Sequence, residues 1–316
     1  MDTPRKGEVR ADIQALRAIA VGAVMVFHLW PNRLTGGYVG VDVFFVISGF
    51  LITSHLLGEI DTTGRLRPTR FWARRAKRLV PASTTVLLLT AVGVVIWVPK
   101  ALWRQFLTEI IASTVQAQNW LLAHDSVDYL AANNSPSPTQ HFWTLSAEEQ
   151  FYVALPLLLL LAILLARVLR VGHRRVILAG LLLTVACSLG YSIWLTATTP
   201  GVAYFSTFTR AWEFGAGALL AYPGSSRRPH RAVTWVGVAA IVAACVLFDS
   251  QTSFPGFAAA LPVLGAVVAI WSGRGSTFNR FGELAPVALL GRVSYAAYLW
   301  HWPLIVLLPS GTSGQP

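Results

Sequence analysis

The sequence predicts an all-α, polytopic bundle of transmembrane helices. Of its 316 residues, 54% are hydrophobic and only 12% are charged, whereas an ordinary soluble domain has about 25% charged residues. The apolar residues are gathered in runs of near membrane-spanning length. Twelve Trp and eight Tyr suit the two membrane interfaces. A soluble protein of this length would have to bury too many such runs.

Ten apolar runs follow one another along the chain. They cover residues 12–30, 39–57, 82–98, 105–123, 150–166, 176–198, 205–222, 232–249, 257–273 and 286–308. Most Arg and Lys residues lie in the loops 58–81, 167–175 and 224–231, and at Arg274 and Arg280. Such loops stay in the cytoplasm. This pattern predicts a cytoplasmic N-terminus, and it attributes the net charge of +11 to membrane orientation rather than to nucleic-acid binding.

The basic loops also determine the number of crossings. Three apolar runs separate the loops 58–81 and 167–175, and two cytoplasmic loops must be separated by an even number of crossings. The run 105–123 is the weakest of the three, because polar residues interrupt it at Glu109, Gln116, Gln118 and Asn119. We expect this run to lie at the outer interface or to re-enter, sheltered by protein. Nine crossings remain. The predicted organisation is a cytoplasmic segment at 1–10, the transmembrane domain at 11–308 and a polar tail at 309–316.

Two ionisable residues lie on the first predicted span. Arg17 and His28 are eleven positions apart, which on an α-helix leaves them about 20° apart around the axis and about 16 Å apart along it. Ionisable groups at membrane depth usually face a bundle interior or a wet cavity. One interpretation is a charged track in which Arg17 holds an anionic group and His28 transfers protons, since the unperturbed pKa of imidazole is about 6.5. A snorkelling arginine and an interfacial histidine are the structural alternative.

Further polar residues are expected near the outer side of the bundle. Glu148 and Glu149 open the fourth span, where a helix N-terminus favours acidic residues. Because adjacent side chains point about 100° apart, one of the two should face the bundle, and Tyr152 shares the face of Glu148. Asp42 and His301 lie near the outer ends of the second and ninth spans. For Asp42, an ion pair with a neighbouring helix is as good an explanation as catalysis.

The segment 70–81, RFWARRAKRLVP, predicts a short basic helix. Arg74 and Arg78 are one turn apart, with Arg75 between them. Guanidinium groups bind phosphate in bidentate fashion, so these arginines are candidates for an anionic ligand. The alternative is an anchor that obeys the positive-inside rule.

Six stretches together resemble the acyltransferase-3 family of bacterial integral-membrane O-acyltransferases, over about residues 11–308. They are Arg17 and His28 in the R-x10-H pattern, GYVGVDVFFVISGFLI, RFWARRAKRLVP, FWTLSAEEQFY, TRAWEFGAGALLA and SYAAYLWHWPL. Gln14, Ala15 and Thr144 depart from the commonest family residues. Members usually have a tenth span, and many carry a further span and an extracytoplasmic hydrolase-like domain.

The resemblance implies an enzyme of the bacterial cytoplasmic membrane that moves an acyl group, by default acetyl, from cytoplasmic acyl-CoA to a hydroxyl of an extracytoplasmic sugar, surface glycan or glycolipid. The CoA phosphates would be bound by Arg17, Arg74, Arg75 and Arg78. His28 would deprotonate the acceptor hydroxyl or take the acyl group itself, and Glu148 would orient His28 or the acceptor and stabilise the imidazolium.

The remaining candidates fall into two groups. Asp42, Tyr152 and His301 are candidate catalytic residues beside His28 and Glu148. Arg210 and Glu213, three positions apart, predict an intramembrane ion pair, and with Trp143 they form a structural or substrate-positioning group. No permanently bound cofactor and no metal are expected, and the partners are acyl-CoA, the acceptor and membrane lipids.

Two other functional classes stay open at this stage. A transporter also needs intramembrane Arg, His and Glu residues, but two related halves with paired broken helices are not evident in this sequence. A flippase or scaffold of surface polysaccharide assembly is the other class. The sequence leaves open the acyl group, the acceptor and the oligomeric state.

Overall fold

The computed structural model describes residues 10–126, 136–222 and 231–308, and within these ranges it contains helices and no strands. The helices are α1 (Ala11–Leu29), α2 (Gly40–Thr63), α3 (Pro68–Trp97), α4 (Lys100–Thr114), α5 (Gln118–Asp125), α6 (Phe142–Val168), α7 (His173–Thr198), α8 (Pro200–Phe205), α9 (Thr207–Leu219), α10 (Val233–Leu247), α11 (Ala260–Ser272), α12 (Thr277–Glu283) and α13 (Ala285–Leu307). The predicted all-α fold is confirmed. The polar tail at 309–316 and nearly all of the segment 1–10 lie outside the described residues.

In the described part of the chain, five helices are long and apolar enough to cross a membrane: α1, α2 with the turn before it, α3, α6 and α7. Helices α10 and α11 are apolar but shorter, with 15 and 13 residues. At 1.5 Å per residue they extend about 20 Å, against a hydrocarbon core of about 30 Å. The chain is therefore a multi-pass membrane helix bundle, while the count of nine crossings stays a prediction.

Helix α2 is largely apolar and packs against α1, α6, α9 and α11, which places it at the centre of the bundle. Phe45, Ile52 and Leu56 pack into one apolar core that includes residues of α3 and α6. Val43 and Val46 of the same helix pack into a second core, shared with α1, α10 and α11. Residues on opposite sides of α2 thus join the two halves of the fold.

The apolar run at 105–123 does not form one helix. Helix α4 ends before a break at 115–117, where Gln116 has a φ of 57°, a left-handed conformation that is uncommon outside glycine. Helix α5 then packs on α6 and α8. Gln150 donates hydrogen bonds to the Gln116 carbonyl and to Asn119 Oδ1, both at 2.9 Å. The Gln116 carbonyl at the break thus has a protein partner, while the buried side-chain oxygen of Gln116 has none among the described residues. That this segment does not cross the membrane stays a prediction.

Helices α2 and α9 approach closely through two glycines. A Cβ atom on Gly49 would overlap the carbonyl of Phe214, and one on Gly217 would overlap the carbonyl of Val46. Small residues at such positions let membrane helices pack with their backbones in contact. This close approach places the polar residues of α2 beside those of α9.

We expect Gly49→Ala to lower the melting temperature of the purified protein in detergent, because overpacking a buried contact costs about 1–3 kcal/mol. Gly58→Ala on the same helix is the matched control. Nothing lies within 4 Å of the Cβ position of Gly58, and replacing a helical glycine with alanine gains up to about 1 kcal/mol. Equal melting temperatures for the two variants would contradict the close packing of α2 on α9.

Candidate active site

Two neighbouring cavities, each of about 370 Å³, lie inside the bundle. The lining of the first, the arginine cavity, includes Arg17, Arg75, Arg78, Glu148, Glu149 and Tyr152. The lining of the second, the histidine cavity, includes His28, Tyr38, His141, Trp143, Tyr204 and Trp302. Val41 and Tyr298 line both cavities, so these two side chains form the wall between them.

Helix α1 contributes one ionisable residue to each cavity. Arg17 lines the arginine cavity and His28 lines the histidine cavity. Eleven residues of α-helix separate them by about 16 Å along the axis. The shared face predicted from their spacing is therefore the face that α1 turns towards the two cavities.

His28 and His301 form a hydrogen-bonded pair between α1 and α13, two helices that pack along each other. The Nδ1 atom of His28 lies 2.9 Å from the Nε2 atom of His301, and the two rings stack with centroids 5.1 Å apart. The Nδ1 atom of His301 lies 2.6 Å from the carbonyl oxygen of Tyr298. The indole of Trp302 packs on His28 with centroids 4.5 Å apart. The sequence predicted both histidines as candidates but did not predict their contact.

His141 adds a third imidazole beside this pair. It lies just before α6, and its Nε2 atom donates to the carbonyl of Leu299 at 3.1 Å. Its ring centroid is 5.4 Å from that of His301. Burial lowers the pKa of His141, and the neighbouring His301 lowers it further, so this ring is neutral. Within the described ranges its Nδ1 atom has no hydrogen-bond partner, which leaves an unpaired acceptor at the histidine cavity.

Arg75 links the two acidic residues of the arginine cavity to Tyr152. Its guanidinium carbon lies 3.4 Å from the centroid of the Tyr152 ring. Its Nη2 atom is 3.5 Å from Glu148 Oε1, and its Nε atom is 3.9 Å from Glu149 Oε1. The hydroxyl of Ser48 also donates to Glu148. Glu148 and Tyr152 therefore share a helix face, as predicted, and Arg75 is their common partner.

The other two arginines of this cavity are available to a ligand. Among the residues that the structure describes, Arg17 and Arg78 make no hydrogen bond and no ion pair with a protein group. Three guanidinium groups against two carboxylates give the lining an excess of positive charge. A cavity with unpaired guanidinium groups and apolar walls suits an anionic ligand with an uncharged portion.

A buried ion cluster lies behind the histidine cavity. Arg210 Nη1 donates to Asp42 Oδ1 at 2.9 Å and to Glu213 Oε1 at 3.0 Å, and all three side chains are at most 1% exposed. The rings of Trp143 and Tyr204, which line the cavity, cover the guanidinium at 5.5 and 5.2 Å. The predicted pair of Arg210 and Glu213 is confirmed. Asp42 lines neither cavity, and its bond to Arg210 is the ion pair that the sequence offered as the alternative to catalysis. A catalytic role for Asp42 stays a prediction.

Two predicted contacts are not formed in the described part of the chain. Arg74 lines neither cavity, and its Nη2 atom lies 3.0 Å from His55 Nε2 on an exposed side of α3. Arg74 is held on that side by His55, whereas Arg75 and Arg78 line the arginine cavity. Glu148 bonds to Ser48 and Arg75 and not to His28, whose Nδ1 atom lies beside His301 instead. That Glu148 orients the acceptor stays a prediction.

Glu109 is a buried carboxylate that the sequence marked only as an interruption of an apolar run. It accepts hydrogen bonds from Gln118 Nε2 at 2.6 Å, from Gln105 Nε2 at 3.2 Å and from the hydroxyl of Ser137. Burial raises the pKa of Glu109, while these three bonds lower it. The carbonyl of Ser137 accepts a hydrogen bond from Trp302 Nε1 at 2.8 Å. The cluster therefore holds an indole that lines the histidine cavity.

Three tyrosines of the site escaped prediction from the sequence. Tyr38, Tyr204 and Tyr298 line the histidine cavity, and the hydroxyl of Tyr298 is 2.8 Å from Thr144 Oγ1. The one available signal was the position of Tyr298 three residues before His301. Tyr38 and Tyr204 lie in a turn and a short helix, where no helical periodicity marks a face.

Comparison with known proteins places this site in context. The family described as "Acyltransferase domain" matches residues 10–313. The chain is 31% identical to "Peptidoglycan O-acetyltransferase OatA" of Listeria monocytogenes, over 93% of this chain and 49% of that protein. It is 31% identical to "O-acetyltransferase OatA" of Staphylococcus aureus (94% and 51%) and 32% identical to "Putative peptidoglycan O-acetyltransferase YrhL" of Bacillus subtilis (96% and 50%). The chain thus spans about half the length of these curated relatives. No solved structure matches it.

Proposed function

Because the chain belongs to the acyltransferase family that it matches over residues 10–313, we propose that it transfers an acyl group, by default acetyl, from acyl-CoA on the cytoplasmic side to a hydroxyl of a cell-wall glycan on the other side. The printed names of two relatives give peptidoglycan as the acceptor of those proteins, and we propose the same class of acceptor here. The proposal includes a place in the bacterial cytoplasmic membrane with the N-terminus in the cytoplasm.

The observation that carries the proposal is the pair of unpaired guanidinium groups, Arg17 and Arg78, in a cavity that adjoins the one lined by the half-buried His28. Guanidinium groups bind phosphate strongly, and the phosphates of CoA supply that chemistry. The pantetheine arm then has to bridge the distance to His28, which is about 16 Å along α1. An extended pantetheine arm has about this reach, so the thioester would pass between Val41 and Tyr298 and arrive beside His28.

His28 would activate the acceptor hydroxyl on the far side of the wall between the two cavities. Its imidazole takes the hydroxyl proton, the acceptor oxygen forms a bond to the acyl carbon, and the carbon–sulfur bond breaks. The proton then passes to the thiolate, which gives the ester and free CoA. Holding both reactants in place lowers the barrier, and a positioned general base contributes about 10²–10⁴-fold. A covalent route would instead leave an acetylated His28 peptide after incubation with acetyl-CoA alone, which mass spectrometry detects.

We expect Arg78→Ala to raise the Kd for acetyl-CoA by about 10–100-fold, because it removes a charged hydrogen bond worth about 1.5–3 kcal/mol. Arg74→Ala is the matched control on the same helix. Its side chain faces His55 and lines neither cavity, so its Kd should stay within about twofold of the wild-type value. Calorimetric titration of protein in lipid nanodiscs measures both. Equal effects of the two substitutions would contradict a phosphate site in the arginine cavity, and no binding by the wild type would favour the transporter.

A further inference from the structure

We infer that His301 is a positioning residue that holds His28 in the tautomer whose Nε2 atom carries the free lone pair. The inference rests on the proposed function, in which His28 removes a proton from the acceptor. It assigns the role of general base to one atom, Nε2 of His28, and it assigns to His301 a role that neither the family match nor the relatives' names contain.

The backbone carbonyl of Tyr298 determines the direction of both hydrogen bonds. A backbone carbonyl has no proton to donate. The Nδ1 atom of His301, 2.6 Å from the Tyr298 carbonyl oxygen, must therefore carry the proton of that bond. A neutral imidazole has one N–H donor and one acceptor nitrogen, so the Nε2 atom of His301 is an acceptor. The Nδ1 atom of His28, 2.9 Å from it, must then carry a proton, and the Nε2 atom of His28 is left without one.

These proton positions hold when both rings are neutral, and the surroundings of the two rings favour this state. In residues 10–126, 136–222 and 231–308, no carboxylate bonds to either ring. His301 is 6% exposed and donates only to a backbone carbonyl. Burying a charge with no partner is costly, so a neutral pair is favoured over a protonated one.

This arrangement follows the logic of a catalytic triad, in which a neighbouring group accepts from one ring nitrogen and fixes the other as the base. Here the neighbour is a neutral imidazole rather than a carboxylate. It orients the ring of His28 and selects its tautomer without placing a negative charge in the apolar interior. His301 does not line either cavity, so it acts through His28 and does not contact substrate.

The tautomer is measured directly by solid-state NMR on protein labelled with 15N-histidine and reconstituted in lipid. Protonated and unprotonated ring nitrogens differ strongly in chemical shift, and a His28→Gln sample identifies the signals of His28 by their loss. We expect a protonated Nδ1 and an unprotonated Nε2 in the wild type. We expect His301→Leu to shift the signals towards the tautomer with the proton on Nε2. A protonated Nε2 in the wild type, or signals unchanged in His301→Leu, would overturn the inference.

Steady-state kinetics with acetyl-CoA and a soluble peptidoglycan fragment test the consequence. His301→Leu should lower kcat by about 10²–10⁴-fold, and the KM for acetyl-CoA should stay within about twofold because His301 lies outside the arginine cavity. His301→Gln should remain within about tenfold of wild type, since its amide oxygen can accept from His28 Nδ1–H. The exposed His124→Gln, whose side chain is 76% exposed, should match the wild type.

The outcomes separate this inference from the proposed function. If His301→Gln loses as much activity as His301→Leu, the acceptor at this position has no catalytic role and the inference fails. If the tautomer is found as expected but His28→Ala still transfers the acyl group, the inference about its role in catalysis fails together with the proposed function.

Discussion

Replacing His28 with alanine should abolish acyl transfer while leaving the binding of acetyl-CoA intact. His28 lines the histidine cavity and Arg17 and Arg78 line the other, so the substitution removes the proposed base and leaves the proposed phosphate-binding residues in place. A general base alone is worth about 10²–10⁴-fold, and a nucleophile that forms an acyl intermediate is worth more. The measurement is label transfer from radioactive acetyl-CoA to a soluble peptidoglycan fragment, beside calorimetric binding.

The control for this prediction is His55→Ala. His55 bonds to Arg74 outside both cavities, so its variant should transfer and bind like the wild type. Transfer retained by His28→Ala would contradict the role of His28 in either the base or the covalent route. Loss of binding together with loss of transfer would show that the substitution disturbs the fold, and the melting temperature checks this.

Replacing Arg210 with methionine should prevent the protein from folding stably. The substitution leaves Asp42 and Glu213 buried without a cation. Removing one partner of a buried ion pair costs about 3–5 kcal/mol, a large part of the 5–15 kcal/mol that holds a typical protein together. The yield of monodisperse protein after size-exclusion chromatography and its melting temperature measure the effect.

An exposed arginine provides the matched control. Arg174 pairs with Asp61 at 2.6 Å, and the two side chains are 49% and 39% exposed. Exposed pairs contribute about 0–1 kcal/mol, so Arg174→Met should be close to wild type. The triple variant with Arg210→Met, Asp42→Asn and Glu213→Gln removes the buried charges and should recover part of the yield. Equal stability of Arg210→Met and Arg174→Met would contradict the buried cluster.

Much of the architecture could be predicted because membrane physics leaves few choices. Long apolar runs can only be helices when backbone groups have no water to bind, and five of them are indeed long helices. The eleven-residue spacing of Arg17 and His28 fixes a shared face whatever the neighbouring helices are. These predictions depend on one helix at a time, and that is why they hold.

The contacts between helices could not be predicted in the same way. Nothing in the sequence tells that His28 meets His301 rather than Glu148, because this depends on α13 packing along α1. Which of Arg74 and Arg75 lines the arginine cavity depends in turn on which side of α3 packs against α6. For Asp42 the sequence could not decide between an ion pair and catalysis, because its contact with Arg210 depends on the close approach of α2 and α9.

The most direct test of the account follows the acyl group across the membrane. The full chain is reconstituted in liposomes with a defined orientation, radioactive acetyl-CoA is added on the side of the arginine cavity, and a peptidoglycan fragment is supplied on the opposite side. We predict free CoA on the first side and labelled glycan on the second, both lost in His28→Ala. Labelled glycan only when donor and acceptor share one side, or CoA release that does not depend on His28, would contradict the account.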